Sequence, residues 1–103
     1  MIISALDIRI LSYLRSKINP GSIYDIVKGT RYKTPSGPKE IAYQTIKQHC
    51  EKLFHNHLIH MWTNKNPKKR PRVRYAYDPT KTPSILKLIE QRRQLNKSQN
   101  PNS

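Results

Sequence analysis

The amino-acid sequence predicts one small, mainly α-helical domain that contains a single β-hairpin. Up to Asn56 the apolar residues recur at every third or fourth position, which is typical of amphipathic helices. After Asn56 they alternate in two short runs rich in aromatic and β-branched residues, which is typical of paired strands. With 103 residues, of which 35% are hydrophobic, the chain has enough apolar material for one modest core.

The first two helices are indicated by their apolar faces and by the residues at their ends. The apolar face of a helix over residues 3–17 consists of Ile3, Leu6, Ile10, Tyr13 and Leu14. The turn residues Asn19-Pro20-Gly21 end this helix. Ser22 then caps a short helix over residues 23–28, with Asp25 near its positive end, and Gly29 stops it.

A third helix is predicted to follow a loop over residues 30–38 and to run to about Asn56. Gly37 at the N-cap and Pro38 at the first helical position favour this start. Asn56 tolerates the left-handed conformation that ends many helices. The residues expected on the buried side are Ile41, Ile46, Cys50 and Leu53.

The hairpin is predicted from two strands, over residues 57–63 and 73–78, joined by a polar segment. Alternation puts Val73, Tyr75 and Tyr77 on one face of the second strand and Arg72, Arg74 and Ala76 on the other. Ser84 caps a last helix that runs to about Asn96. We therefore expect a folded domain over residues 1–79, a C-terminal helix over residues 82–96 and a disordered tail over residues 97–103.

This order of elements resembles the winged helix-turn-helix family over roughly residues 4–78. The densest resemblance runs from Glu40 to Ile59. Ile41, Ala42, Thr45-Ile46, Cys50, Leu53 and Leu58-Ile59 stand at the apolar and small positions of the family pattern. Two departures are Cys50 in place of a leucine and Asn56-His57 in place of a turn glycine. The resemblance implies a third helix that reads DNA and a hairpin that forms the wing.

The charge of the chain points to a polyanionic partner. Twenty Lys and Arg against six Asp and Glu give a formal net charge of +14. Six of the basic residues lie within the predicted hairpin, namely Lys65, Lys68, Lys69, Arg70, Arg72 and Arg74. Such a hairpin can contact phosphates or enter a minor groove, although a basic run is also compatible with a solvated loop.

The third helix supplies the candidates for reading bases, because its first half carries polar side chains away from the core. These are Lys39, Tyr43, Gln44, Lys47 and Gln48. Gln pairs with adenine, and Lys reaches guanine or a phosphate. Arg31, Lys33 and Ser36 border the same helix end and are candidates for holding the backbone. The alternative for both groups is an ordinary solvated surface.

Several other classes of protein are disfavoured. Six carboxylates and three glycines leave little material for acid–base hydrolysis or a phosphate-binding loop, so we expect no enzyme and no cofactor. His49, His55, His57, His60 and Cys50 are spaced unlike a zinc site. The single Cys50 is expected in the core, as are Trp62, Tyr75 and Tyr77, with stacking on unpaired bases as the alternative for the aromatics. No apolar run is long enough to span a bilayer. The first residues have no basic stretch, and Asp7 and Arg9 interrupt their apolar run, so we expect no export.

The resulting hypothesis is a sequence-specific protein that binds double-stranded DNA, a small dimeric transcriptional regulator in the cytoplasm at the nucleoid, or in the nucleus of a eukaryote. Ile85, Leu88 and Ile89 on one side of the last helix, with Leu86 and Leu95 beside them, are the expected homodimer contact. The alternative is that this helix folds back on the first. Two other functions stay open: a ribosome-associated RNA-binding protein, and a protein–protein adaptor in a replication or transcription complex.

Overall fold

The computed structural model describes residues 1–64 and 72–98, which form four α-helices and two antiparallel β-sheets. In chain order the elements are α1 (Ala5–Arg15), β1 (Gly21–Ser22), α2 (Ile23–Gly29), β2 (Tyr32–Thr34), β3 (Gly37–Lys39), α3 (Tyr43–His55), β4 (Ile59–Asn64), β5 (Arg72–Tyr77), one turn of 3-10 helix (Pro79–Lys81) and α4 (Thr82–Ser98). This mixed α/β architecture is consistent with a winged-helix-like arrangement.

The first two helices begin with the same capping device. At α1 the Ser4 hydroxyl accepts from the backbone N–H of Asp7 at 3.1 Å, and the Asp7 carboxylate accepts from the backbone N–H of Ser4 at 2.8 Å. Ser22 and Asp25 repeat this reciprocal pair at α2, which confirms the N-cap expected at Ser22. Each pair satisfies two backbone donors that the first turn of a helix leaves without partners.

The core lies where α1, α2 and α3 meet the inner face of a three-stranded sheet. Its fully buried centre consists of Ile3, Ile10, Leu14, Ile26, Ile46, Cys50 and Leu53. Tyr75 of β5 and Ile85 of α4 close it at 2% and 4% exposure. The packing is tight at Gly29, where an added Cβ would lie 2.1 Å from the Tyr13 ring. Gly29 is the last residue of α2, one residue later than predicted, and Thr30 is the C-cap. The glycine is needed there because it makes room for Tyr13 of α1.

The three-stranded sheet has the order β1-β5-β4, so β5 is its central strand. Tyr75 is paired with Gly21 on one side and with Met61 on the other. Since directly opposed residues share a face, Ile59, Met61 and Tyr75 face inward, whereas Trp62 and Arg74 share the outer face. The predicted alternation of β5 is thereby confirmed, with Tyr75 buried and Arg72 and Arg74 exposed.

The prediction for the segment before α3 is wrong. Residues expected to form a loop and the first turn of a helix instead form a second hairpin, in which Tyr32 pairs with Lys39 and Thr34 with Gly37. The helix begins only at Tyr43, with Ala42 at its N-cap and no side-chain cap. The physical reason is that glycine followed by proline suits a turn as well as a helix start. Here Gly37, with φ +117°, continues the turn.

The end of α3 also differs from expectation. Asn56 has a φ of −92°, and the left-handed residue is His57, with a φ of 62°. The His57 N–H donates to the Phe54 carbonyl at 2.9 Å, and the Leu58 N–H donates to the Leu53 carbonyl at 3.0 Å. This is a Schellman motif that satisfies the last carbonyls of the helix. The position that glycine would favour is thus occupied by a histidine.

The C-terminal helix is longer than predicted and partly folded back. It begins at Thr82, where the expected segment begins, so Ser84 lies inside the helix rather than at its cap, and it continues through Ser98, two residues into the segment expected as a tail. Its first half packs on the body, because Ile85 is buried and Leu88 and Ile89 are partly buried against the core. Residues 99–103 of that expected tail lie outside the described residues.

Candidate nucleic-acid interface

Helix α3 presents a polar face on the side opposite its buried residues. Its core side consists of Ile46, Cys50 and Leu53, all 0% exposed. Tyr43, Gln44 and Gln48 are exposed, and Lys47 is partly buried beside them. Four of the predicted base-reading residues therefore share the first half of α3. The fifth, Lys39, is exposed at the end of β3, outside the helix.

A groove of about 840 Å³ runs between α3, the start of α2 and strand β5. Its cationic side chains are Lys47 of α3 and Arg72 and Arg74 of β5. Two of its walls meet at Tyr24 and Tyr43, whose ring centroids are 4.9 Å apart. The groove thus joins part of the helix face to the predicted wing arginines.

Two carboxylates, Asp25 and Glu51, also line this groove. Hydrogen bonds from the backbone and side chain of Ser22 hold the pKa of Asp25 below its ordinary value, so its charge is committed to the cap of α2. Three basic side chains therefore share the groove with two acidic ones, and one of the acidic ones has a structural role.

The β2–β3 hairpin carries the remaining predicted backbone-holding residues immediately before α3. Lys33 and Lys39 are exposed on its strands, and Ser36 is in its turn, where its hydroxyl lies 3.1 Å from that of Thr34. Arg31 forms an ion pair with Glu40 at 3.1 Å across the base of the hairpin. The charge of Arg31 is therefore partly satisfied within the chain.

Arg9 of α1 fixes this hairpin, a role that the sequence did not indicate. Its guanidinium donates to the carbonyl oxygens of Thr30 at 2.8 Å and Arg31 at 2.9 Å. It also lies over the Tyr32 ring, 5.7 Å from the centroid. No spacing rule connects residues so far apart in the chain.

The wing residues fall into two groups. Arg72 and Arg74 are exposed on β5 at the rim of the groove. Lys65, Lys68, Lys69 and Arg70, the other predicted wing contacts, lie outside the described residues. Between Asn64 and Arg72, which are paired across the sheet, the chain therefore carries four basic residues by sequence.

Trp62 is not in the core, contrary to the prediction. It is 60% exposed on the outer face of the sheet, whereas Tyr75 is buried and Tyr77 partly buried. The register explains the difference, because Trp62 is paired with the outward-facing Arg74 and Met61 with the inward-facing Tyr75. Alternation in β4 alone could not identify which set of residues faces the core.

A buried carboxylate holds α3 against α1. Asp7 is 0% exposed, and its two oxygens lie 2.6 Å from His49 Nδ1 and 2.6 Å from Lys52 Nζ. Burial would raise the pKa of Asp7, but hydrogen bonds from Lys52, the Ser4 backbone and His49 outweigh it and lower the pKa below its ordinary value. Two cationic or hydrogen-bonding side chains of α3 are thereby turned inward, leaving Lys47 and Gln48 for the surface.

Cys50 is buried in the core, as expected, and burial raises the pKa of its thiol to about 12. Among residues 1–64 and 72–98, no group of three or more His, Cys, Asp or Glu side chains is arranged to hold a metal ion. In the same part of the chain, no helix is long and apolar enough to cross a membrane.

The arrangement defines a small α/β chain with a winged-helix-like order of elements and a polar face on α3, beside a groove that three basic and two acidic side chains line. It is similar to a solved structure of BpsR from Bordetella bronchiseptica, a protein whose DNA binding is regulated by 6-hydroxynicotinic acid. The two share 20% identity with a TM-score of 0.57, over 89% of this chain and 59% of BpsR, so this chain matches less than two thirds of that protein's length. No protein-family model and no curated protein matches the chain. At this identity the likeness shows a shared fold.

Proposed function

We propose that this chain is a winged-helix protein that binds double-stranded DNA sequence-specifically and acts as a small dimeric transcriptional regulator. In this role α3 enters the major groove, and the hairpins before and after it contact the sugar–phosphate backbone. The role is non-catalytic and requires no cofactor. The observation that carries the proposal is the groove shared by Lys47 of α3 with Arg72 and Arg74 of β5.

The two kinds of side chain on α3 have different tasks in this proposal. Gln44 and Gln48, one helical turn apart and both exposed, are suited to bidentate pairing with adenine. Lys47 and Tyr43 line the groove toward β5, where Arg72 and Arg74 contact phosphates of the neighbouring strand. The β2–β3 hairpin, which precedes α3 in the chain, adds Lys33 and Lys39. The likeness to the fold of BpsR, a protein that binds DNA, supports this assignment.

Selection of bound fragments from a random duplex pool at fixed salt tests the proposal directly. We expect enrichment of a short, often palindromic motif, preferred about a thousandfold or more over random duplex. Structured RNA is measured in parallel at the same salt. Failure to enrich any motif contradicts sequence-specific recognition, and preference for the RNA identifies the structural RNA-binding alternative.

The wing is tested by replacing Lys68, Lys69 and Arg70 together with Ala. We expect lower affinity for all duplexes and a salt dependence shallower by about three charges in a log–log plot. Replacing Lys81, Lys87 and Arg93 together with Ala is the matched control, since it removes the same charge from elements that do not line the groove. Equal slopes for the two triple variants contradict a phosphate contact by the wing.

The dimer is proposed from the outer half of α4. Leu95 lies seven residues after Leu88, so it continues the face on which Ile85 and Leu88 approach the core. Leu95 is nevertheless 45% exposed. Among the described residues, 1–64 and 72–98, this end of α4 extends beyond the body of the chain, so that Leu95 is not covered. We infer that a second copy of α4 covers it, which would set two copies of α3 on two half-sites.

Sedimentation velocity across a range of protein concentrations tests this pairing. Leu95→Lys is expected to give a monomer, whereas Asn96→Lys, which adds the same charge at the next exposed position of α4, is expected to leave the dimer intact. A monomeric natural chain, or equal behaviour of the two variants, contradicts dimerisation through this face.

A further inference from the structure

We propose that the outer face of the three-stranded sheet is a second nucleic-acid site, which stacks an unpaired base of a DNA strand on Trp62. The site is formed by Trp62 of β4 with Arg74 and Arg72 of β5. It rests on the proposed DNA binding and shares Arg72 and Arg74 with the groove beside α3, whereas Trp62 does not line that groove. Its ligand class is single-stranded DNA, including a single-stranded stretch next to a duplex.

The register of the sheet places these side chains next to one another. Trp62 is directly opposite Arg74, and Arg72 is diagonal to it, two residues along the same strand. Side chains of directly opposed residues lie within about 5.5 Å of each other at Cβ on one face of a sheet, and diagonal neighbours remain within reach of long side chains. An indole and two guanidinium groups therefore form one continuous surface.

This face of the sheet is open. Trp62 is 60% exposed, and the side chain of His60, two residues before it, is 59% exposed. Arg72 and Arg74 are exposed as well. An indole at this exposure has a large apolar surface in contact with water, which a planar ligand would cover.

The charges on this face favour an anionic ligand. Among the described residues, neither Arg72 nor Arg74 has a carboxylate within ion-pair distance, and Arg74 reaches only the Pro20 carbonyl oxygen at 3.5 Å. Two carboxylates are near these arginines. Asp78 is engaged by His60 at 3.2 Å and by the Thr80 hydroxyl at 2.6 Å. Asp25 is engaged by the Ser22 cap of α2, and its pKa is lowered by those hydrogen bonds and, to a lesser extent, by the charge of Arg74. Two guanidinium groups that form no ion pair within 4 Å among the described residues lie beside an indole, and together they combine a phosphate contact with an aromatic platform.

The aromatic platform distinguishes unpaired from paired bases. In a duplex the faces of the bases are stacked on one another and are closed to an indole, whereas an unpaired base presents a free π-face. Stacking of this kind changes affinity by about 5- to 150-fold per base when the aromatic residue is removed. The site therefore gives the chain a preference for duplex ends or openings in addition to duplex itself.

Trp62 is the one tryptophan of the chain, so its fluorescence reports this site directly. The natural protein is titrated with a 15-mer of deoxythymidine, with a blunt duplex, and with the same duplex carrying a deoxythymidine overhang. We expect strong quenching by the single strand and by the overhang and weak quenching by the blunt duplex. Fluorescence anisotropy of labelled oligonucleotides gives the affinities.

Trp62→Leu is expected to weaken binding of the single strand about 5- to 150-fold and to remove the advantage of the overhang. Trp62→Phe, which keeps a smaller aromatic ring, is expected to retain part of both. Ile18→Ala, which alters a fully exposed apolar side chain in the bend after α1, is the control and should change neither. Circular dichroism of the variants verifies that the fold is intact.

The outcomes separate this inference from the proposed function. One outcome is that the protein binds duplex, the single strand does not quench Trp62, and the affinity for the single strand is the same in Trp62→Leu. This outcome overturns the stacking site and leaves the duplex proposal standing. If Trp62→Leu weakens binding of the blunt duplex as much as binding of the single strand, then Trp62 contacts paired DNA, which also overturns the stacking site. If Trp62 emission shifts to the blue as the protein concentration rises without DNA, then a second copy of the chain covers Trp62, and the stacking site is overturned. Absence of binding to every oligonucleotide overturns both proposals.

Discussion

Asp7 of α1 and His49 of α3 are joined by a 2.6 Å contact between Oδ1 and Nδ1, although 42 residues separate them in the chain. The carboxylate is fully buried, and its second oxygen accepts from Lys52 at 2.6 Å and from the Ser4 backbone at 2.8 Å. One side chain therefore caps α1 and fixes the helix that we propose as the DNA reader. The orientation of α3 depends on a group that touches no DNA in this proposal.

Asp7→Asn is expected to lower the free energy of unfolding by about 2–4 kcal/mol, because it leaves Lys52 and His49 without their buried partner. Urea denaturation followed by circular dichroism measures the change. Asp25→Asn is the matched control, since Asp25 occupies the same capping-box position in α2 but is exposed and has no ion pair within 4 Å among the described residues. We expect a loss of about 1 kcal/mol or less for that variant. Equal losses would show that Asp7 acts only as a cap.

The Asp7 pair also predicts how stability depends on pH. The folded chain holds the pKa of Asp7 below its ordinary value of 3.8, so the folded state favours the ionised carboxylate. This stabilisation is fully present above the ordinary value and is lost as the pH falls through the lowered pKa of the folded state. The free energy of unfolding should therefore decline below about pH 4 in the natural chain and decline less in Asp7→Asn. Parallel profiles for the two proteins would contradict a lowered pKa.

His57→Gly is expected to stabilise the chain by about 1 kcal/mol, because a left-handed backbone costs a side-chain-bearing residue roughly that amount. The φ of 62° at His57 is the observation behind this expectation. Thermal unfolding measures the shift. His55→Gly, which places the same substitution at the last residue of α3, should destabilise by up to about 1 kcal/mol. A loss of stability in His57→Gly would mean that the imidazole makes a compensating contact.

Periodicity was sufficient for the elements whose signals are local. The apolar faces of α1 and α3, the Ser22 cap with Asp25, and the inward Tyr75 all follow from spacing of a few residues. Tyr43, Gln44 and Gln48 are exposed, as predicted, because the buried residues of α3 determine which of its side chains point away from the core.

The parts that could not be predicted depend on contacts between distant residues. In the sequence, Asp7 is one charged residue within an apolar stretch. Its carboxylate can be buried only because His49 and Lys52 of another helix contact it in the folded chain. Trp62 faces outward because the hairpin register pairs it with Arg74, and register is a property of two strands together. Gly37-Pro38 suits both a helix start and a turn, and the pairing of β2 with β3 selects the turn.

Gln44→Ala is expected to relax base preference at one position of the selected site, with a change in affinity for that site equivalent to about 1–3 kcal/mol. Binding to random duplex should stay the same, because a neutral amide contributes little to the phosphate term that dominates non-specific affinity. Lys47→Ala is the informative comparison, since a groove-lining cation should weaken specific and random duplex alike and make the salt dependence shallower by about one charge. The two variants are compared by repeating the duplex selection and by measuring affinities at several salt concentrations. If Gln44→Ala instead lowers affinity uniformly over all sequences, then Gln44 contacts the backbone and bases must be read from elsewhere on the exposed surface of α3.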